Sequence, residues 1–318
     1  MTSDNTSAYT YEAPSEWTRV CAIGKARNIV TLCRRNDIVP KNLLEIGAGD
    51  GAILNELAEA DFCPSMHAVE ISASGVSVIA SRGIKHLESC SQFDGYTLTY
   101  PDKYFDLIIL SHVLEHVEHE RVLLREILRV GKNFVIEIPL DYNSLENDEN
   151  RSLLLSYGHI NVYTTKILKF LLHTTGFVII DDLLGMYGIE ALSYMHFESK
   201  GKNKTDFATR AFSLVHRLNK EAFNKLSRKQ QEQQSAFYTV LACQATSKNI
   251  MKTKLDDAMA LLRRGNIHYS DMIVNSCISD HGKLALATEI MKTCQRENRT
   301  DAAEHYRKLI ESFNNKKQ

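Results

Sequence analysis

Leu44-Glu45-Ile46-Gly47-Ala48-Gly49-Asp50-Gly51 decides how this chain folds. An apolar run ends in three closely spaced glycines, with one acid before them and another among them. Glycine allows a sharp turn and lets a ligand approach without a Cβ in the way. A strand–turn–helix corner of this kind, at the end of a parallel strand, is where open α/β sheets bind nucleotide-like groups. Which group, and for what chemistry, depends on the residues around it.

Outward from the corner the chain alternates strands and helices. Leu43–Ile46 is expected as a strand and Ala52–Ala60 as a helix. Met66–Ile71 is a second strand, Gly75–Arg82 a short helix, and Lys85–Glu88 a short third strand. Phe105–Leu110 is apolar apart from Asp106, as a strand buried on both faces should be. Glu115–Val130 reads as a helix stopped by Gly131, with Lys132 beside it. Phe134–Ile138 is a fifth strand. Thr164–Thr175 is a helix with Ile167, Leu168, Leu171 and Leu172 inward, followed by the strands Phe177–Leu184 and Phe237–Cys243. This rhythm predicts an α/β fold: a doubly wound, seven-stranded, mostly parallel sheet with an all-helical C-terminal appendage.

Three segments break the rhythm. Glu16–Asn36 precedes it as an amphipathic helix. Asp141–Gly158 is polar and acidic and reads as a loop or short lid. Ser199–Gln230 carries nine Lys/Arg against Asp206 and Glu221, and is helical from about Phe207. After Ser247 only helical patterns remain: Lys252–Arg264, His281–Gln295 and Thr300–Phe313. The expected organisation is a cofactor-binding domain over 1–247, with a helical lid at 1–39 and a helical insertion at 185–233, then a helical region at 248–318. That tail is a candidate surface for a protein contact or a homodimer.

Bulk properties narrow the function classes. The 318 residues are 44% hydrophobic and 24% charged with a formal net charge of -1, so no overall field favours nucleic acid or anionic membrane. No apolar run is long enough for a transmembrane helix, and Met1–Ser15 is too polar for a secretory signal. Seven scattered cysteines with no Cys-x-x-Cys pair fit free thiols in a cytoplasmic protein.

Gly47-Ala48-Gly49-Asp50-Gly51-Ala52 nearly satisfies the dinucleotide fingerprint, and Glu70 lies 20 residues after Asp50, where a ribose-binding acid belongs. NAD, FAD and S-adenosylmethionine all remain compatible with these two features. The stretch Tyr100-Pro101-Asp102-Lys103-Tyr104-Phe105-Asp106-Leu107-Ile108-Ile109-Leu110-Ser111-His112-Val113-Leu114-Glu115-His116-Val117 separates them. It resembles the fourth-strand region of class I S-adenosylmethionine-dependent methyltransferases, of the small-molecule branch that includes ubiquinone-biosynthesis-type enzymes. Leu44–Gly51 and Val69-Glu70-Ile71-Ser72 then resemble that family's first and second motifs. The resemblance implies S-adenosylmethionine as cofactor. It places Gly47 and Gly49 against the methionine and ribose portions, and has Glu45 orient the turn or reach the amino group through water. It gives Glu70 the ribose hydroxyls, Asp94 with Gly95 the adenine amine, and the Ser111 carbonyl the methionine ammonium. Ser89-Cys90-Ser91-Gln92 departs from the apolar lead-in usual before that acid.

The implied reaction is methyl transfer to O or N of a small-molecule acceptor: a sugar, a nucleotide-linked sugar or a secondary metabolite. His159, His116 and His112 are the candidate catalytic residues, since imidazole is the usual base near neutral pH. His112-Val113-Leu114-Glu115-His116 also spells the H-x-x-E-H of inverted zinc proteases. It caps a buried strand here and offers no obvious third ligand, so no metal is expected. Tyr9, Tyr11 and Trp17 could form an aromatic lid. The chain lacks the Asn/Asp-Pro-Pro-Tyr/Phe tetrad of amino-directed nucleic-acid methyltransferases. The alternatives are a NAD-dependent oxidoreductase, or a cofactor-binding scaffold whose helical tail recruits a protein partner.

Overall fold

The computed structural model describes residues 10–201, 205–245, 247–275, 277 and 280–315. Tyr9 lies outside them. The chain divides into two compact units, Met1–Gln244 and Ala245–Gln318.

The first unit is built on seven strands: β1 Leu43–Ile46, β2 Met66–Glu70, β3 Leu87–Gln92, β4 Phe105–Ser111, β5 Gly131–Pro139, β6 Phe177–Gly185 and β7 Phe237–Gln244. Their order is β3-β2-β1-β4-β5-β7-β6. β7 runs antiparallel to both its neighbours and the remaining pairs are parallel. β1 lies between β2 and β4, with Leu43 opposite Met66 on one side and Leu107 on the other. Strand order therefore reverses between β1 and β4, and ligands of open α/β sheets bind beyond the carboxyl ends of the strands at that point.

Alternation along the strands fills two cores. Leu44, Ile46, Ile108, Leu110, Phe134 and Ile136 face one layer, completed by helices α4 (Glu120–Val130) and α6 (Thr165–Thr175). Leu43, Ala68, Leu107, Ile109 and Val135 face the other, against α1 (Glu16–Arg35) and α2 (Ala52–Glu59). All of these strand residues are at most 1% exposed, which is why their sequence runs are continuously apolar.

Several boundaries differ from those expected. β3 is a sheet edge, half-exposed and rich in Ser and Cys, so its register cannot be read from hydrophobicity. Gly131 is not a left-handed cap. Its φ is -112° and it opens β5 directly, where a Cβ would stand 2.4 Å from Ile108 Cγ1. Ile167 is 51% exposed rather than inward, while Leu168, Leu171 and Leu172 are buried as expected. The helix expected from Glu115 begins at Glu120, and Leu114–His116 is a separate 3-10 turn. Asp141–Gly158 is largely helical: a 3-10 segment, Asp141–Glu146, then α5 (Asp148–Ser156), capped by the Asn147 side chain. α5 buries Leu154 alone, so its sequence carries no helical stripe.

The insertion before β7 holds α7 (Ile189–Ser193), a π-turn at Tyr194–Glu198, α8 (Asp206–Lys225) and α9 (Arg228–Gln234). The second unit consists of α10 (Ser247–Arg263), α11 (Ile267–Asn275), α12 (Asp280–Arg296) and α13 (Thr300–Asn315). It has its own core around Met259, Leu262, Val274, Leu286, Ile290 and Tyr306. No helix among the described residues is long and apolar enough to cross a membrane.

Candidate active site

Gly47, Gly49 and Gly51 adopt φ of 66°, 60° and 78°. At Gly47 a Cβ would come within 2.6 Å of Val113 Cγ2, so only glycine keeps both the turn and its packing. The Glu70 carboxylate braces the corner. One oxygen accepts from Gly49 N at 2.8 Å and the other from Ser72 N at 3.1 Å. Burial raises its pKa, against the pull of those N–H groups.

A cavity of about 250 Å³ opens at this corner. Glu45, Gly47, Ala48 and Gly49 from the β1 side, with Ser111 at the end of β4 and His112 just beyond it, form its floor. Trp17, Cys21 and Lys25 of α1, with Tyr187, Ala191 and Phe237, form its walls. Trp17 sits 6.1 Å from Tyr187 and 5.8 Å from Tyr194, ring centre to ring centre.

Glu45 is an unsatisfied carboxylate in this floor, where His112 Nε2 also lacks a hydrogen-bond partner. Glu45 is 2% exposed and its Oε2 receives no hydrogen bond. Burial pushes its pKa up to about 8, against the opposing charge of Lys25. A buried carboxylate short of partners is complementary to a cationic ligand group.

His112 faces the cavity in a left-handed conformation, φ 56°, which is uncommon for a non-glycine residue and clusters at functional sites. Behind it stands Glu137 of β5, whose Oε1 lies 3.5 Å from His112 Nε2. Glu137 is 2% exposed and accepts from Ser111 Oγ (3.1 Å), Asn28 Nδ2 (3.1 Å) and Thr239 Oγ1 (2.6 Å). Burial alone would raise its pKa. The neighbouring His112, Lys25 and Thr239 outweigh that and hold it at about 2. Sequence reasoning missed Glu137, although an acid inside the apolar run Phe134–Ile138 was a readable signal.

The remaining expected residues lie outside this cavity lining. Asp94 Oδ1 accepts from Tyr96 N at 2.8 Å and Thr97 N at 2.6 Å, and these bonds lower its pKa. Gly95 supplies the left-handed turn beside it, φ 89°. Glu70 is 3% exposed, and the Tyr11 hydroxyl lies 3.3 Å from where a Cβ on Gly49 would stand. Trp17 and Tyr11 do line the cavity. His112 and His116 do not share a helical face, because the chain between them is a 3-10 turn. His116 and His159 pack edge to face at 4.9 Å beside the buried Glu115.

Asp50 has no role in the sequence reading, and it ties the start of α1 to the corner. Its Oδ2 accepts from Ser15 N (3.1 Å), Thr18 Oγ1 (2.6 Å) and Arg82 Nη2 (2.7 Å).

Residues 21–181 match the family model described as a methyltransferase domain. The chain is 28% identical over 96 residues to ajmaline N-methyltransferase of Rauvolfia serpentina, a match covering 29% of this chain and 33% of that one. It is 27% identical over 127 residues to norajmaline N-methyltransferase of the same plant, covering 36% and 43%. The aligned stretches thus span less than half the length of these curated relatives. The solved structure of a putative sarcosine dimethylglycine methyltransferase from Galdieria sulphuraria shares the fold. Its TM-score is 0.50 at 10% identity, over 70% of this chain and 86% of that one. The match over residues 21–181 and the seven-stranded architecture agree: this chain belongs to the methyltransferase-domain family, whose cofactor is S-adenosylmethionine.

Proposed function

We propose that this chain transfers a methyl group from S-adenosylmethionine to a nitrogen or oxygen of a small-molecule acceptor. The observation that carries the reading is the floor of the cavity. The buried, unsatisfied carboxylate of Glu45 and the glycine turn meet His112 across the switch point between β1 and β4.

The residues present fit the cofactor. The glycine turn leaves room for its methionine and ribose portions, and Glu45 opposes its ammonium group directly or through water. Glu70 is assigned the ribose hydroxyls. Asp94, with Oδ1 committed to its own loop, is assigned the adenine amine through Oδ2. Ser111 offers its backbone carbonyl to the ammonium.

The bound cofactor supplies an electrophilic methyl group on a sulfonium, so the transfer is an in-line displacement. The protein's part is to position the acceptor, exclude water and handle the acceptor's proton. His112 is the group placed to take that proton, with Glu137 holding the imidazole from behind. The aromatic walls Trp17, Tyr187 and Phe237 suit an apolar acceptor body. Two relatives are named for N-methylation of ajmaline and norajmaline, which favours an amine.

The test is to incubate the protein with the cofactor and pools of small amines and alcohols, and to look by mass spectrometry for the gain of one methyl group. With an accepted substrate, His112→Asn, which tolerates the left-handed backbone, should lower turnover by roughly 10²–10⁴-fold. Unchanged turnover would remove His112 as the base.

A further inference from the structure

The geometry points to Glu115, His116 and His159 as a binding site for one divalent transition-metal ion. One ligand atom from each residue lies within 4.8 Å of the other two. Glu115 is 1% exposed, and neither of its carboxylate oxygens receives a hydrogen bond. Imidazole nitrogens stand 3.5 Å (His112 Nδ1) and 3.9 Å (His116 Nε2) from its Oε1. A buried carboxylate that receives no hydrogen bond is complementary to a cation.

His116 is oriented as a metal ligand is: its Nδ1 lies 3.1 Å from the Gly158 carbonyl, which only accepts, so Nδ1 carries the proton, while Nε2 stands 3.9 Å from Glu115 Oε1. His159 Nδ1 lies 3.0 Å from Asp141 Oδ2, an ion-pair distance without hydrogen-bond geometry. The two chain segments are clamped together. Ile160 N and Asn161 N donate to the Glu115 carbonyl at 2.8 and 3.0 Å. The Asn161 amide spans the Leu114 and Val117 carbonyls at 3.1 and 2.7 Å. The donors are thus held by backbone rather than by flexible side chains, as a preformed site requires.

The sequence alone offers no obvious third ligand for the H-x-x-E-H letters. The fold supplies one in His159, 43 residues after His116. Donors around a tetrahedral ion at ~2.1 Å stand about 3.4 Å apart, so closing the cluster needs only side-chain adjustment. Two imidazoles and a carboxylate with open positions suit Zn²⁺, Mn²⁺ or Fe²⁺ and not Mg²⁺, which prefers oxygen. The site lies beside His112, whose Nδ1 is 3.5 Å from Glu115 Oε1, and its bearing on turnover rests on the methyl-transfer reading above.

The experiment uses the full chain, stripped with chelator and dialysed against Zn²⁺, Mn²⁺ or Mg²⁺, with bound metal counted by mass spectrometry. Zn²⁺ and Mn²⁺ should bind one per chain and Mg²⁺ should not. Glu115→Gln and His159→Ala should each weaken binding by roughly 10–100-fold or more. Both variants should keep their affinity for S-adenosylhomocysteine, which reports folding and tests the cofactor site separately. Substituting Co²⁺ distinguishes this site from the seven free cysteines, since nitrogen and oxygen ligands give visible bands without the thiolate charge-transfer band. Less than one metal per chain, a thiolate cobalt spectrum, or uptake indifferent to both substitutions would overturn the proposal.

Discussion

Glu45 carries a conflict between stability and binding. Its folded pKa, about 8, lies above the ordinary carboxylate value, so the native state favours the protonated form. The stability this contributes is fully present below the unfolded pKa of 4.5 and is lost as pH rises through 8. Glu45→Gln removes that loss. The melting temperature of the variant relative to wild type should therefore climb between pH 5 and pH 8, by the equivalent of a few kcal/mol, when followed by thermal scans across pH. A difference that stays flat with pH would contradict the assignment. The same change should weaken S-adenosylhomocysteine by about tenfold or more, since a charge-assisted interaction is lost. A variant that is more stable yet binds less well is the signature of a ligand-facing buried charge.

At the scale of elements, α1 and the residues before it are held over the corner by Asp50, which is 3% exposed. Its partner Arg82 is nearly as buried and also donates to the Asp50 carbonyl. Asp50→Asn keeps the shape but leaves the Arg82 guanidinium without its counter-charge. A loss of about 2–4 kcal/mol is expected in denaturant unfolding, with faster hydrogen exchange at Ser15–Arg19. Protection there equal to wild type would mean that Asp50 does not anchor the lid. Elements buried on both faces were legible in the sequence: β1, β4 and β5 show as apolar runs, and α6 was readable from its Thr164 cap and Gly176 stop. The edge strand β3 and the solvent-covered α5 were not, because neither buries enough apolar surface to impose a period on its residues. The site divided in the same way. Glycines and acids near the corner announce themselves locally. The joining of Glu115 to His159, and of His112 to Glu137, exists only after parallel strands bring distant loops together.

At the scale of the molecule, each unit buries its own core, and all the described residues that line the cavity belong to the first. A fragment ending at Gln244 should therefore fold cooperatively and bind S-adenosylhomocysteine with the affinity of the full chain, by calorimetry. A fragment that folds but binds markedly worse would assign the helical unit a part in the site. The central claim is that the glycine corner between β1 and β4 holds S-adenosylmethionine rather than a nicotinamide dinucleotide. Parallel calorimetric titrations of the full chain with S-adenosylhomocysteine and with NAD test it most directly. One S-adenosylhomocysteine should bind per chain, with a dissociation constant of roughly 1–100 μM, while NAD gives no heat of binding. Saturable NAD binding with no response to S-adenosylhomocysteine would contradict it.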